Sequence, residues 1–300
     1  MAVYAPQRST NSPAGRRPPV PRRLSRRRPH ENRPGRLVYL SLLAVVFFSA
    51  FPFYFSIVVA SQDNNALGQI PPPLLPGGNL IANIERAFGT VPMTKALINS
   101  FLVSGTITIS VVVFSTLAGF AFAKLRFRGR NALLLIIIGT MMVPTQLGIV
   151  PLYLMMAKFQ LVGRLPAVIV PSLVSGFGVF FMTQYLRTAV PETLIEAARA
   201  DGCNTAKIIW YVVRPAARPA AAVLATLTFM NSWNDFFWPL VAVNPDDPTV
   251  QVALSTLASG AVSDFALTLT GALIGTLPLL VVFAFLGRRI ITGIIRQSPY

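Results

Sequence analysis

Six long apolar stretches constrain the fold of this chain more than any other feature. Each has about 20 residues or more, the length that an α-helix needs to cross the hydrocarbon core of a bilayer. Their approximate bounds are residues 37–60, 96–123, 132–156, 166–187, 220–243 and 266–287. Because 53% of the 300 residues are hydrophobic and only 12% are charged, the composition is typical of a polytopic membrane protein. We predict an all-α protein with six transmembrane helices.

The N-terminal 36 residues differ in composition from the rest of the chain. They are rich in Arg, Pro and Ser and hold 10 of the 26 Lys and Arg residues. This composition predicts a disordered basic tail over residues 1–36, followed by a membrane domain over residues 37–300. Two roles remain open for the tail, binding to anionic membrane lipids or setting the topology alone. Most other basic residues flank the apolar stretches, so the net charge of +16 does not indicate nucleic acid as a partner.

The distribution of basic residues between the loops predicts the orientation in the membrane. With a cytoplasmic N-terminus, the cytoplasmic segments beyond the tail hold 12 Lys and Arg residues and the outer segments hold 4. Cytoplasmic loops of membrane proteins carry this excess of positive charge. We therefore expect both termini and the segment 188–219 to lie in the cytoplasm.

The segment 188–219 is the one long charged interruption in the second half of the chain. Pro191 suits the first position of a helix, and Glu192 favours its positive N-terminal end. Gly202 can adopt the left-handed conformation that closes a helix. These residues predict a short helix followed by a tight turn.

A second helix is expected to follow that turn. Asn204 or Thr205 can cap its N-terminus, and Pro215 is expected to break or kink it. The residues alone leave two interpretations open. The segment is either an amphipathic linker on the membrane surface or a docking surface for a partner in water.

The segment resembles the EAA loop of ABC importer permeases, in the version found in the carbohydrate-uptake, maltose-type branch. The residues that carry the resemblance are Glu196, Ala197, Ala198, Asp201, Gly202 and Pro215. Cys203 departs slightly from the motif, which more often has alanine there. The similarity continues outside the loop, at residues 79–88, 99–100, 127–129, 142–151 and 233–235.

The resemblance implies a permease fold in a bacterial inner membrane and a set of partners. These are a second homologous permease, two ATPase subunits and an extracytoplasmic solute-binding protein. It also implies that the EAA-like helix receives the ATPase, with Glu196 and Asp201 as polar contacts. Ala197 and Ala198 would allow close approach, Gly202 would form the turn, and Pro215 would join the loop to the fifth span. ATP and Mg would bind to the ATPase, so this chain itself would need no cofactor.

One ionisable residue, Asp235, lies inside a predicted span, beside Asn231, Trp233 and Asn234. An intramembrane carboxylate indicates a functional site, and aromatic faces with amide groups suit a sugar, so we expect these four residues to line the substrate path or to form a gate. The alternative is a structural hydrogen-bond partner between helices. Because no Lys or Arg lies at a predicted midplane, an anionic solute would find no counter-charge in this chain, and we expect a neutral sugar.

The expected solute class follows from these residues and from the resemblance. A neutral di- or oligosaccharide is the substrate that we predict for the importer. The alternative is the same architecture importing glycerol phosphate or another non-sugar solute, with a counter-charge supplied by the partner permease.

The sequence lacks the common signatures of catalysis. The single histidine, His30, lies in the tail, and Cys203 is the only cysteine. We find no phosphate-binding loop, no zinc-protease motif and no nucleophile elbow, so we predict a non-enzymatic chain with no metal site. Two rival classes remain, a membrane-embedded lipid-modifying transferase and a passive channel subunit.

Three local features complete the expectations. Pro144 and Pro151 predict a kink in the third span. Asn79 is expected to cap a short helix that continues to residue 88 and lies on the membrane or on a partner permease. The outer loop 244–265 is rich in turn-forming residues, and it either contacts the solute-binding protein or is a solvated turn.

Overall fold

The computed structural model describes residues 35–64, 70–260 and 264–295, with side chains described as far as residue 284. The tail predicted for residues 1–36 therefore falls almost entirely outside the described residues. Contacts between Cα atoms divide the chain into two units, residues 1–49 and residues 50–300. The first helix runs across the boundary between these units, and the remaining helices belong to the second.

The described residues form helices and no named β-strand. The helices are α1 (Arg36–Ala60), α2 (Leu80–Thr90), α3 (Met93–Lys124), α4 (Arg130–Thr140), α5 (Ile149–Lys158), α6 (Pro166–Ile169), α7 (Gly176–Ala189), α8 (Glu192–Ala200), α9 (Thr205–Ile208), α10 (Arg214–Trp233), α11 (Phe237–Ala242), α12 (Val250–Ala258) and α13 (Phe265–Ile295). A π-helical segment, Ile209–Val213, joins α9 to α10 without a break.

Five stretches of helix are long and apolar enough to cross a membrane. They are Arg36–Ala60, Met93–Lys124, Pro166–Ala189, Thr205–Trp233 and Phe265–Ala284. A sixth candidate is formed by α4 and α5, which are bent by 89° relative to each other. The all-α class and the six-span architecture are thus confirmed when this bent pair is counted as one span.

Helix α3 packs against both α7 and α10 in the second unit. Two glycines permit the close contact between α3 and α7. A Cβ atom at Gly178 would lie 2.3 Å from Ser115 Oγ, and one at Gly119 would lie 2.7 Å from Met182 Cβ. Because lipid tails are as apolar as the side chains, helices in a membrane associate through such close packing between small residues.

The kink expected in the third span is present, and it lies at only one of the two prolines. Helix α4 ends at Thr140, and residues 141–144 form the bend before a 3₁₀ turn, Thr145–Gly148, leads into α5. Pro144 immediately precedes that turn. Pro151 instead occupies the first turn of α5, where a backbone N–H would have no partner within the helix.

The fifth span differs from the prediction at both ends. Its helical run extends from Thr205 to Trp233, whereas the apolar pattern predicted residues 220–243. Pro215 was expected to break or kink the helix, and the run continues through it without a break. The irregularity near this proline is a π-helical turn, Ile209–Val213, directly before α10. The helix ends ten residues earlier than predicted, and the short helix α11 follows after a non-helical link.

The two segments predicted to lie outside the membrane, 61–95 and 244–265, are tied to the helices by side-chain hydrogen bonds. Asn79 occupies the N-cap of α2 without a side-chain capping bond, whereas the buried Asn83 amide donates to Ala60 O and Gln62 O. In the loop 244–265, nine residues, Val250–Ala258, form α12, and Ser100 Oγ accepts the Val250 N–H at 2.8 Å. Part of this predicted loop is therefore a helix packed on α3 and α13.

Candidate coupling site and polar cluster

The turn after α8 is a Schellman motif built around Gly202. Gly202 has a φ of +78°, the left-handed region in which glycine is favoured. Its N–H donates to Arg199 O at 3.0 Å, and the Cys203 N–H donates to Ala198 O at 2.9 Å. Both bonds satisfy carbonyl groups at the end of α8, so the turn predicted from this glycine forms at that position.

The second helix of the pair begins at Asn204. The Asn204 side chain accepts a hydrogen bond from the Lys207 N–H at 2.9 Å, which selects Asn204 over Thr205 as the cap. At the other end of the pair, Pro191 lies at the N-cap of α8, one residue before the position predicted for it. Residues 201–204 therefore connect α8 to α9 in a short, hydrogen-bonded turn.

Helix α8 is attached to the protein by one face. Ile195 is buried in the main apolar cluster, and Ala198 is packed against that cluster. The polar residues Glu196 and Asp201 are exposed, and so is Ala197. Of the predicted loop residues, Glu196, Ala197 and Ala198 thus lie on a helix fixed by its buried face, and Asp201 lies at its C-cap. The exposed face of this helix is available for contact.

An open cleft of about 560 Å³ separates α8 from the turn after α3. Its lining residues are Lys124, Leu125, Arg126, Phe127, Glu192, Ile195, Glu196 and Arg199. The Lys124 ammonium donates to Arg187 O at 3.0 Å and so links the end of α3 to the end of α7. Because both signs of charge line the cleft, it suits a protein partner with a complementary pattern.

Residues 124–130 were assigned only a role in topology by the sequence reasoning. The structure places them beside α8, where they form the opposite wall of the cleft. A signal was present, because this turn carries four basic residues in seven positions and belongs to the stretches that resemble the family. The prediction missed that residues 124–130 and α8 lie side by side, since no pattern within either segment reports their contact.

Pro215 and Trp233, two of the predicted site residues on α10, differ in exposure. Pro215 is exposed within the helical run. Trp233 is 2% exposed, its indole N–H donates to Gly275 O at 3.0 Å, and its ring stacks on Phe229. Trp233 is therefore engaged in packing α10 against α13 and does not face open space.

The other predicted polar residues lie at the exposed end of α10. Asn231 is exposed. The Asn234 amide donates to Met230 O at 2.9 Å, and Asn234 Oδ1 accepts a long hydrogen bond of 3.4 Å from Gln251. Asp235 lies in the non-helical link, where its carboxylate is close to the backbone N–H groups of Phe237 and Trp238.

Gln251 is a member of this cluster that the sequence did not indicate. It lies near the start of α12, in a segment predicted to be a loop. Among the described residues, no group of three His, Cys, Asp or Glu side chains is placed to hold a metal ion. The cluster consists of amide groups and one carboxylate, which are hydrogen-bonding groups with no bond-making chemistry of their own.

A family model described as "Binding-protein-dependent transport system inner membrane component" matches residues 112–290. The chain belongs to this family. The resemblance to ABC importer permeases is therefore confirmed, and the chain is a multi-pass inner-membrane transport subunit, not an enzyme. The lipid-modifying transferase and the passive channel, which remained as rivals, are excluded by this membership.

The curated relatives include permeases that are named for different solutes. The arabinooligosaccharide permease AraQ of Halalkalibacterium halodurans is 35% identical over 197 residues, which cover 65% of this chain and 70% of the relative. AraQ of Bacillus subtilis is 30% identical over 201 residues, which cover 67% of this chain and 71% of the relative. The glycerol-3-phosphate permease UgpE of Escherichia coli is 27% identical over 276 residues, which cover 88% of this chain and 98% of the relative.

Two solved structures share the fold. One is a bacterial ABC transporter that imports alginate, with a TM-score of 0.73 and 20% identity over 84% of this chain and 95% of that chain. The other is a bacterial alginate ABC transporter in complex with an alginate-pentasaccharide-bound periplasmic protein, with a TM-score of 0.62 and 15% identity. These likenesses confirm the importer permease fold.

Proposed function

We propose that this chain is one of two permease subunits of an ATP-driven, binding-protein-dependent importer for a di- or oligosaccharide. The second permease is a homologous chain, and two cytoplasmic ATPase subunits bind ATP and Mg. A solute-binding protein delivers the sugar from the outer side. The AraQ relatives and the periplasmic protein in the alginate transporter structure support this assembly.

The observation that carries the proposal is a continuous helix between two polar regions. One is the turn at residues 201–204, the coupling turn, and the other is the polar cluster of Asn231, Asn234, Asp235 and Gln251. The run Thr205–Trp233 has 29 residues, which corresponds to roughly 40 Å at 1.5 Å per residue. Helix α8 and the cleft lie beside one end of this run, and Asn231 and Asn234 lie at the other. A displacement at the turn is therefore transmitted along a rigid element to the polar cluster.

In the proposed mechanism, the ATPase grips the exposed face of α8. Glu196 and Asp201 make polar contacts with it, and the small side chains of Ala197 and Ala198 permit close approach. Closure of the ATPases on ATP moves α8, and Gly202 holds the angle between α8 and the long helix. The membrane cavity then opens outward, and hydrolysis restores the inward-facing state.

The sugar assignment rests on the relatives and on the chemistry of the cluster. Amide groups such as those of Asn231, Asn234 and Gln251 donate to and accept from hydroxyl groups. A glycerol phosphate is the second candidate, because UgpE relatives match over most of their length. A phosphate would need a cationic partner, which the residues at this end of α10 do not supply.

The test is reconstitution of the transporter from the tagged chain and the proteins that purify with it. Vesicles with ATP on the cytoplasmic side are given the solute-binding protein and either a labelled arabinooligosaccharide or labelled glycerol 3-phosphate. We expect ATP-dependent accumulation of the oligosaccharide alone. Accumulation of glycerol 3-phosphate alone would replace the sugar assignment, and purification of the chain without an ATPase would contradict the assembly.

A further inference from the structure

The π-helical segment Ile209–Val213 changes which residues of the helical run Thr205–Trp233 are exposed at the protein surface. Ile208, Val213 and Ala217 are all buried, at 2%, 0% and 2% exposure. In a regular α-helix with 3.6 residues per turn, positions five apart point about 140° away from each other. The wider π turn brings Ile208 and Val213 to the same buried side, so both ends of the segment stay anchored in the core.

The opposite side of this helix carries basic and aromatic residues. Trp210 is 58% exposed and Tyr211 is 70% exposed. The Arg214 guanidinium lies 4.1 Å from the centroid of the Trp210 ring. We call this side the basic–aromatic face, and its residues are Lys207, Trp210, Tyr211, Arg214 and Arg218, all of them exposed.

The electrostatic character of this face is one-sided. Its three basic residues are not accompanied by any Asp or Glu between residues 202 and 234. The Trp210 ring attracts the Arg214 guanidinium to its face through a cation–π interaction. The edge of that group keeps hydrogen-bond donors that match the oxygens of a phosphate.

The face also lies at the beginning of a candidate membrane span, Thr205–Trp233. The polar coupling turn precedes it, and the apolar part of a candidate membrane span follows it. Trp and Tyr are enriched at this level of membrane proteins because their rings have an apolar body and a polar edge. Basic residues at the same level are attracted to anionic lipids.

We propose that the basic–aromatic face binds the phosphate headgroup of an anionic phospholipid. Arg214 and Arg218 contact the phosphate, while Trp210 and Tyr211 lie at the boundary between headgroups and acyl chains. The site is separate from α8, whose exposed face is assigned to the ATPase. A lipid bound there holds the end of the long helix at a fixed depth beside the coupling turn.

The three tryptophans make this site measurable in the full-length chain. Trp233 and Trp238 are 2% and 8% exposed, and each indole N–H is hydrogen-bonded within the protein. Trp210 is therefore the residue open to quenching by brominated lipid. The chain is reconstituted in phosphatidylcholine vesicles that contain the same mole fraction of brominated phosphatidylglycerol or brominated phosphatidylcholine, and the signal of Trp210→Phe is subtracted.

We expect the brominated phosphatidylglycerol to quench Trp210 more strongly. Since each basic residue beside an anionic surface contributes about a fivefold enrichment, Arg214→Gln with Arg218→Gln should reduce the preference about 5- to 25-fold. The control, Arg126→Gln with Arg128→Gln, removes two charges from the turn after α3 and should keep the preference. Arg214→Lys with Arg218→Lys should retain part of it, because the charge remains and the planar donor pair is lost.

Three results would overturn the proposal. Equal quenching by the two lipids in the unmodified chain would show no headgroup selection. An equal loss in the control variant would assign the preference to net charge alone. Protection of Trp210 from both lipids in the assembled transporter would show that a protein subunit covers the face. Quenching by brominated phosphatidylcholine in every variant verifies insertion, and the assay needs no transported solute, so its outcome is separate from the substrate assignment.

Discussion

The coupling turn at residues 201–204 and the helix end at residues 231–235 are both polar, but the fold uses their polarity differently. At the turn, Asn204 caps a helix, while Asp201 remains exposed. At the helix end, Trp233 donates to Gly275 O and Asn234 is bonded to both Met230 and Gln251. Polar groups engaged within the chain stabilise the fold, and those left exposed are available to a partner.

The largest effect predicted from this contrast is on stability at Trp233. Trp233→Ala removes a fully buried ring and its hydrogen bond, and it should lower the free energy of unfolding by about 3–5 kcal/mol. Trp210→Ala changes an exposed ring and should change it by about 0.5 kcal/mol or less. Thermal unfolding of both variants in detergent measures the difference, and similar losses would contradict the contrast.

The next largest effect is expected where α3 and α7 touch. Gly178→Ala places a Cβ atom 2.3 Å from Ser115 Oγ, and overpacking of this kind costs about 1–3 kcal/mol. Adding Ser115→Ala should recover part of the loss, because the Oγ atom is removed. Gly105→Ala is the control on α3, since nothing lies within 4 Å of its added Cβ. Equal unfolding temperatures for the Gly178 and Gly105 variants would show that the contact is less tight.

A smaller loss of stability is expected at the coupling turn, together with a large loss of transport. Gly202→Val puts a β-branched residue at a φ of +78°, which costs about 1–2 kcal/mol. Since nothing lies within 4 Å of an added Cβ there, the effect comes from the backbone alone. Gly202→Asn tolerates this conformation and is the control. The amount of solute taken up by vesicles per ATP hydrolysed should fall in the Gly202→Val variant. Normal uptake per ATP in that variant would refute the role of α8 as a lever.

The spans, the turn at Gly202 and the break near Pro144 were predictable because each depends on local properties of the chain. Apolar length identifies a span, and a glycine or proline limits its own backbone. The course of the fifth span was not predictable in the same way. Pro215 was expected to break or kink it, but the helix continues through the proline, and a π-helical segment with the buried Ile208 and Val213 at its ends precedes it.

The candidate site shows the same division. The EAA-like residues were selected by their order in the sequence, and their role in coupling stays a prediction. Glu196 and Gly202 are exposed in the structure. Gln251 and the wall formed by residues 124–130 were missed, because each meets its neighbour only through tertiary packing. Trp233 was grouped with the polar cluster by proximity in the chain, although its side chain turns toward α13.

The smallest effect on the isolated chain, and the sharpest on its assembly, is expected at Glu196. Glu196→Gln keeps the shape of an exposed side chain and should leave thermal stability unchanged. If the carboxylate contacts the ATPase at the edge of an interface, its loss should weaken association about fivefold or less and reduce the salt dependence of binding.

Glu85→Gln is the matched control for this measurement, because Glu85 is also an exposed glutamate on a short helix, α2, away from the cleft. Recovery of the ATPase with each tagged variant is compared over a range of salt concentrations. Reduced recovery for Glu196→Gln alone supports a contact made by α8. Equal recovery of the ATPase with the two variants would show that the Glu196 carboxylate does not contribute to docking. The difference between the coupling turn and the helix end would then lie in backbone geometry, not in charge.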